Sequence, residues 1–286
     1  MKNNPWLDRR VVAFAHQGGS HEGPSSTLFA IGQAIERGAT AIELDVHATK
    51  DRQIVVCHDE TVDRTTNASG EIVNFTLAEL REMDNAYWFI PGDAVTPDRP
   101  AEDYPWRGQA PQNRAFGIAT LEEVSRAFPG VPLNMDIKRT APEVEPYEQL
   151  LADELRRLER TDSVIVASFS DDAIGAFRAI APEVLTSAAT AETAAFYFAV
   201  QEGATPEPSP VCAFQVPASY GDITVVDERF VTAAHAAGIA VHVWTINEED
   251  EMSRLIDLGV DGIITDIPTP LVALLTRRGC RWDGRL

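Results

Sequence analysis

Short runs of apolar and β-branched residues recur along the chain, separated by amphipathic stretches with helical spacing, and this alternation is the mark of βα units around a parallel sheet. The pattern predicts strands at 11–16, 41–46, 54–58, 132–138, 164–169, 184–187, 211–216, 240–246 and 262–265. Helices are expected at 27–37, 120–128, 146–159, 171–180, 190–201, 227–237 and 248–258. Gly38, Gly203, Gly238 and Gly259 fall just past four of these helices, where glycine ends a helix at low cost. Thr120 with Glu123 spells a capping box.

Nine strands exceed the eight of a barrel, and spacing identifies the extra one. Only residues 50–53 join 41–49 to 54–58, too few for a helical crossover, so these two runs are expected to form a hairpin. The remainder reads as an α/β (β/α)8 TIM barrel with a protruding hairpin after the second strand. Its 286 residues suit a single domain, 1–286, with an insertion at about 60–117. That insertion carries one short helix, 77–83, and then Tyr87, Trp88, Phe89, Tyr104 and Trp106, which favour an ordered lid.

Composition narrows the function classes. Apolar residues make up 44% and charged residues 24%, the profile of a soluble globular protein. The formal charge of −20 disfavours nucleic acid and anionic membrane as partners, and implies that an anionic ligand needs a local positive centre such as a bound divalent cation. No stretch is long and apolar enough for a membrane anchor, and MKNNPWLDRR lacks the apolar core of a signal peptide, so a cytoplasmic location is expected. Cys57, Cys212 and Cys280 are far apart and suggest neither a disulfide framework nor a thiolate metal site.

Candidate chemistry sits at strand ends. In Ala41-Ile-Glu-Leu-Asp-Val46, strand alternation turns Glu43 and Asp45 to one face, where two carboxylates either reach solvent or bind a cation; the apolar flanks favour metal ligands. A two-residue turn at Asp51-Arg52 would set Asp45 opposite His58, so Glu43, Asp45 and His58 would converge at the barrel mouth. His47, further along the same face, reads as a solvated histidine. His16 ends the first strand and opens into Gln17-Gly-Gly19, a turn with exposed amides at the end where barrel enzymes keep their active sites. Leu133-Asn-Met-Asp-Ile-Lys138 repeats the alternation, with Asp136 a third metal ligand and Lys138 an anion holder, or the two an internal salt bridge.

His16-Gln-Gly-Gly19, Pro24-Ser-Ser-Thr27, Ile42-Glu-Leu-Asp-Val46 with Thr49-Lys-Asp51, Val55-Val-Cys-His-Asp59, Arg64-Thr-Thr66 with Gly70, Leu133-Asn-Met-Asp-Ile-Lys138, Trp244-Thr-Ile-Asn247 and Thr265-Asp-Ile-Pro268 occur in this order. The series resembles that of the glycerophosphodiester phosphodiesterase family over roughly residues 11–270. The resemblance implies a TIM barrel that hydrolyses phosphodiesters with a divalent cation, Mg2+ or Ca2+. By position, Glu43, Asp45 and Asp136 would hold the metal and His16 and His58 would be the acid–base pair. Gln17, Lys138 and Trp244 would bind the phosphate or substrate. The chain departs from the family pattern in three places. Gln17 stands where arginine is usual, Ser25 replaces a glutamate, and Asp136 is one methylene shorter than the commoner Glu.

The expected reaction is therefore hydrolysis of a small-molecule phosphodiester, foremost a glycerophosphodiester giving glycerol 3-phosphate and an alcohol. A lysophospholipase D-like or sphingolipid phosphodiesterase keeps the fold and metal, with the aromatic lid lying along an acyl chain. A catalytically silent barrel that binds a phosphorylated ligand is the third reading. The absence of P-loop, GxGxxG and GxSxG motifs leaves nucleotide-cofactor and serine-hydrolase chemistry without support.

Overall fold

The computed structural model describes residues 4–92, 94–97, 99–138, 147–207 and 209–284. Eight parallel strands run Val12–His16, Ala41–Ala48, Leu133–Ile137, Val164–Ala167, Leu185–Thr186, Ala213–Pro217, Ala240–Trp244 and Gly262–Thr265. The eighth pairs with the first, and a parallel bridge from Ser187 to Ala213 links the fifth to the sixth, so the sheet closes on itself. A helix follows each strand. The last of these, Pro268–Arg278, is absent from the pattern-based reading, and the insertion stands between the second strand and its helix, Leu121–Ala127.

Local chemistry explains the helix boundaries. The Thr27 hydroxyl accepts from the Ala30 amide at the start of Leu28–Glu36, and the Thr120/Glu123 capping box forms as expected. Gly259 ends the helix Glu249–Leu258 at φ +92°, a conformation that costs glycine little. At the N-terminal end of the barrel, the short helix Pro5–Asp8 acts as a plug. Asn4 donates to the carbonyls of Cys212 and Gly238, and buried Trp6 packs on Phe14 and His242.

The hairpin forms, with a register one residue from the expected one. Val46 pairs with Val56, His47 with Val55 and Ala48 with Ile54, so Asp45 lies opposite Cys57, whose amide donates to the Asp45 carbonyl at 3.1 Å. The cause is the turn: Lys50-Asp51-Arg52 forms a three-residue loop with Arg52 at φ +64°, closed by Thr49 and Gln53. A non-glycine residue in the left-handed region leaves no sequence signal for the longer loop.

The insertion clasps this hairpin. Lys50 donates its amide to the Phe75 carbonyl, Leu77 donates to the Asp51 carboxylate, and Ala119–Thr120 adds a third antiparallel strand beside Ile54–Val56. Beyond it, Trp106 packs against Phe29, Phe89 and Phe116, while Arg107 lies over Tyr87, Trp88 and Tyr104. The lid aromatics thus pack the lid, with Phe89 and Tyr104 buried and Tyr87, Trp88 and Trp106 half-buried. Among the described residues no helix is long and apolar enough to cross a membrane.

Candidate active site

Strand pairing builds the site from the sheet upward. His16 pairs with Glu43, Glu43 with Asn134, and Asp45 with Asp136. Because alternate side chains share a face, Glu43, Asp45, Asn134 and Asp136 project into the barrel together. Gln215 reaches across from the sixth strand to Asn134 at 2.9 Å, so this polar layer lies directly beneath the mouth. Glu43, Asp45 and Asp136 are 6%, 1% and 7% exposed, depths at which a carboxylate needs a partner.

Lys138 supplies part of that partnership. Its ammonium lies 2.9 Å from Asp45 Oδ1 and 2.9 Å from Asp136 Oδ2, and the two carboxylates keep it charged against the pull of burial. Asp45 Oδ2 and Asp136 Oδ1 remain buried with no hydrogen-bond partner. Burial, and then the Asp136 charge, push Glu43 up to about 8. Burial and Glu43 likewise push Asp45 up to about 7 despite Lys138. The cluster carries more negative charge than one ammonium offsets. Its donors are all oxygen, matching a hard cation of the Mg2+ or Ca2+ type. No three acidic, His or Cys side chains among the described residues already stand in a ligating arrangement, and Lys138 occupies the place between two of the expected ligands.

Two histidine–carboxylate pairs face each other across the mouth. His16 Nδ1 lies 2.6 Å from Asp266 Oδ1, and Asp266 also accepts from Ser20 at 2.5 Å and Asn247 at 2.7 Å. His58 Nδ1 lies 2.7 Å from Asp59 Oδ1, and Arg64 forks onto the same carboxylate at 2.5 and 3.2 Å. Burial raises both carboxyls, but these hydrogen bonds outweigh it and hold Asp59 and Asp266 well below the usual range, so each remains an anion. The imidazole rings stand nearly perpendicular with centroids 6.2 Å apart. Each Nδ1 is engaged by a carboxylate, and His16 Nε2 lies 3.1 Å from Gln17 Nε2.

His58 reaches the site by a different route from the one expected. The ladder ends at Val56, and the bend that follows carries His58 back toward His16. His47 is not solvated: it is fully buried, lies against the His58 carbonyl, and is pushed down to about 4 by burial. Trp244 ends the seventh strand and meets Phe169 edge to face at 5.6 Å. A cavity of about 350 Å3 opens beside Phe169, lined also by Asp136, Ile137, Lys138, Ser168 and Ser170. Gln17 and Ser25, the two departures from the family pattern, touch each other at 2.5 Å.

Asp266, Asp59, Arg64 and Asn247 were not singled out from sequence as site residues. All four lie within the recurring motifs, but their partners are set by folding. A carboxylate next to or far from a histidine in sequence announces no hydrogen bond.

Two histidine–carboxylate pairs and a carboxylate cluster thus gather at the C-terminal strand ends of a parallel barrel, the face where barrel enzymes keep their active sites. The glycerophosphoryl diester phosphodiesterase family model matches residues 16–269, and the chain belongs to that family. It is 30% identical over 274 residues to a glycerophosphodiester phosphodiesterase of Bacillus subtilis, covering 93% of this chain and 87% of that one. A glycerophosphodiester phosphodiesterase of Caldanaerobacter subterraneus is 29% identical over 276 residues, covering 94% of this chain and 100% of its own. Among solved structures, an Oleispira antarctica phosphodiesterase in complex with the product sn-glycerol-3-phosphate superposes with a TM-score of 0.69 at 23% identity, covering 95% of this chain and 99% of that one.

Proposed function

We propose that this enzyme hydrolyses a glycerophosphodiester to glycerol 3-phosphate and an alcohol, using a divalent cation and two histidines. The observation that carries the reading is the opposed pair of dyads, His16–Asp266 and His58–Asp59, set above the buried carboxylates. The relatives named for this reaction, and the product held by the Oleispira phosphodiesterase, support it. Glu43, Asp45 and Asp136 would hold the cation, which would neutralise phosphate oxygens and acidify a bound hydroxyl.

The chain's own groups then divide the proton work. One imidazole accepts the proton of the attacking water at its Nε2, or that of a neighbouring substrate hydroxyl whose attack expels the alcohol and gives a cyclic phosphate that water then opens. The other protonates the departing alkoxide, which requires one neutral and one charged ring. Asp266 and Asp59 orient the rings and stabilise the imidazolium as it forms. Lys138 stands close enough to the carboxylates to be shared with a phosphate oxygen, giving a chain of net charge −20 a local attraction for an anion.

The lid aromatics pack on one another and on Arg107, a contact set that gives the lysolipid reading no added support. The silent-barrel reading conflicts with two intact dyads. A panel of glycerophosphodiesters and lysophospholipids, assayed with chelated protein after adding back Mg2+, Ca2+ or Mn2+, tests the proposal. Cation-dependent release of glycerol 3-phosphate is expected; turnover of lysolipids alone, or none with any cation, would refute it.

A further inference from the structure

Both ends of the Gln17 amide are engaged inside the protein. The Ser25 hydroxyl donates to Gln17 Oε1 at 2.5 Å, and Gln17 Nε2 lies 3.1 Å from His16 Nε2. In the neutral ring whose Nδ1–H donates to the Asp266 carboxylate, only a lone pair remains at Nε2, so Gln17 is the donor in that contact. Gln17 is 5% exposed and Ser25 is 4% exposed, so water does not replace either bond.

The backbone is shaped around this pair. Gln17 and Ser26 both adopt positive φ, +53° and +60°, and the Ser26 amide donates to the Gln17 carbonyl at 2.8 Å. Each such residue costs roughly 1–2 kcal/mol, so the pair of conformations persists because the surroundings hold it. The Gln17 amide proton goes to Glu43, at 3.0 Å from its carbonyl and 3.2 Å from Oε2. The inserted segment completes the support: Asn85 donates to the Ser25 carbonyl at 3.0 Å, and the Thr65 hydroxyl donates to Asn85 at 2.5 Å.

We infer that Gln17 is a positioning residue. Clamped by Ser25, its amide holds the plane of the His16 ring through Nε2 in the resting enzyme and yields that atom when substrate arrives, and the insertion steadies the clamp through Thr65 and Asn85. Gln17 therefore acts on the rate through His16 rather than on the affinity for phosphate. The inference rests on the proposed role of His16 in proton transfer.

Steady-state kinetics with glycerophosphocholine at saturating cation test it, using Q17M, S25A, S25T, the Q17M/S25A double variant and H16N. Loss of aim at a reacting group costs up to about 100-fold, so Q17M is expected to lower kcat by ~10–100-fold with KM within ~2-fold. S25A should give a smaller loss, ~3–10-fold, with the same split between kcat and KM. S25T, which keeps the hydroxyl, should rescue it. The double variant should be no worse than Q17M, because one clamp is removed twice. Raised KM with intact kcat in Q17M would show a direct phosphate ligand and overturn the inference, as would wild-type kinetics. H16N separates the two levels: an active H16N refutes the proton-transfer role itself, whereas an inactive H16N beside a wild-type-like Q17M refutes only the clamp. Should Q17M fail to fold, S25A and S25T carry the same comparison.

Discussion

Glu43 shows how much a single residue draws from its surroundings. It lies beside Asp45 and Asp136 under the mouth, and burial raises it to about 8. A carboxyl raised in the fold gives up its proton only at higher pH, so without a cation the protein loses stability as pH climbs from about 4 toward 8. A cation requires the ionised form, and its binding expels that proton. Calorimetric titration of Mg2+ or Ca2+ between pH 6 and 9 should therefore show affinity rising with pH, with proton release that shrinks above about 8; a flat profile would place the cation elsewhere. Glu43, Asp45 and Asp136 were legible in the sequence because strand alternation has period two, so every second residue declares its face. Asp266 was not: it lies 250 positions from His16, and only barrel closure brings them together.

At the scale of elements, the hairpin and insertion decide where His58 sits. A turn of two residues and one of three differ by a single unit of register, and the three-residue turn here depends on Arg52 accepting positive φ. The sequence therefore showed that the hairpin exists but not its register. His58 reaches the mouth through the bend after the ladder and is then held by Asp59, which Arg64 anchors from the insertion. Arg64→Gln should leave the fold intact and lower kcat by about 10-fold with little change in KM, because it loosens an orienting carboxylate and removes no substrate contact. Equal kcat in the two proteins, measured at saturating substrate, would show that Asp59 needs no anchor. The lid aromatics were visible in sequence as an ordered cluster, but whether they faced a ligand or each other depended on partners as distant as Phe29.

For the whole molecule, βα alternation made the barrel legible, since each strand and helix carries its own periodic signal. The plug did not announce itself, because a four-residue helix is too short to show a period. Its partner His242 has both ring nitrogens buried without hydrogen bonds, and burial pushes it down to about 3. A histidine lowered from its unfolded value near 6.5 binds protons in the unfolded chain first, so it destabilises the fold progressively as pH falls from about 6.5 toward 3. The loss approaches roughly 1 kcal/mol per pH unit in that window. His242→Leu should flatten the acid limb of a Tm-against-pH curve; an unchanged limb would assign acid sensitivity to other groups.

In the proposed mechanism metal binding and proton transfer are separate tasks of neighbouring residues, and a cation titration of Glu43→Gln beside His58→Asn distinguishes them. Glycerol 3-phosphate release by Glu43→Gln should be weak at low Mg2+ or Ca2+ and recover in part as the cation is raised, because a ligand charge has been lost while the acid–base pair remains. His58→Asn should lose about 100- to 10,000-fold in rate at every cation concentration, since no metal replaces a proton-transfer group. Near-wild-type turnover by His58→Asn, or its rescue by added cation, would show that His58 is not the proton-transfer group.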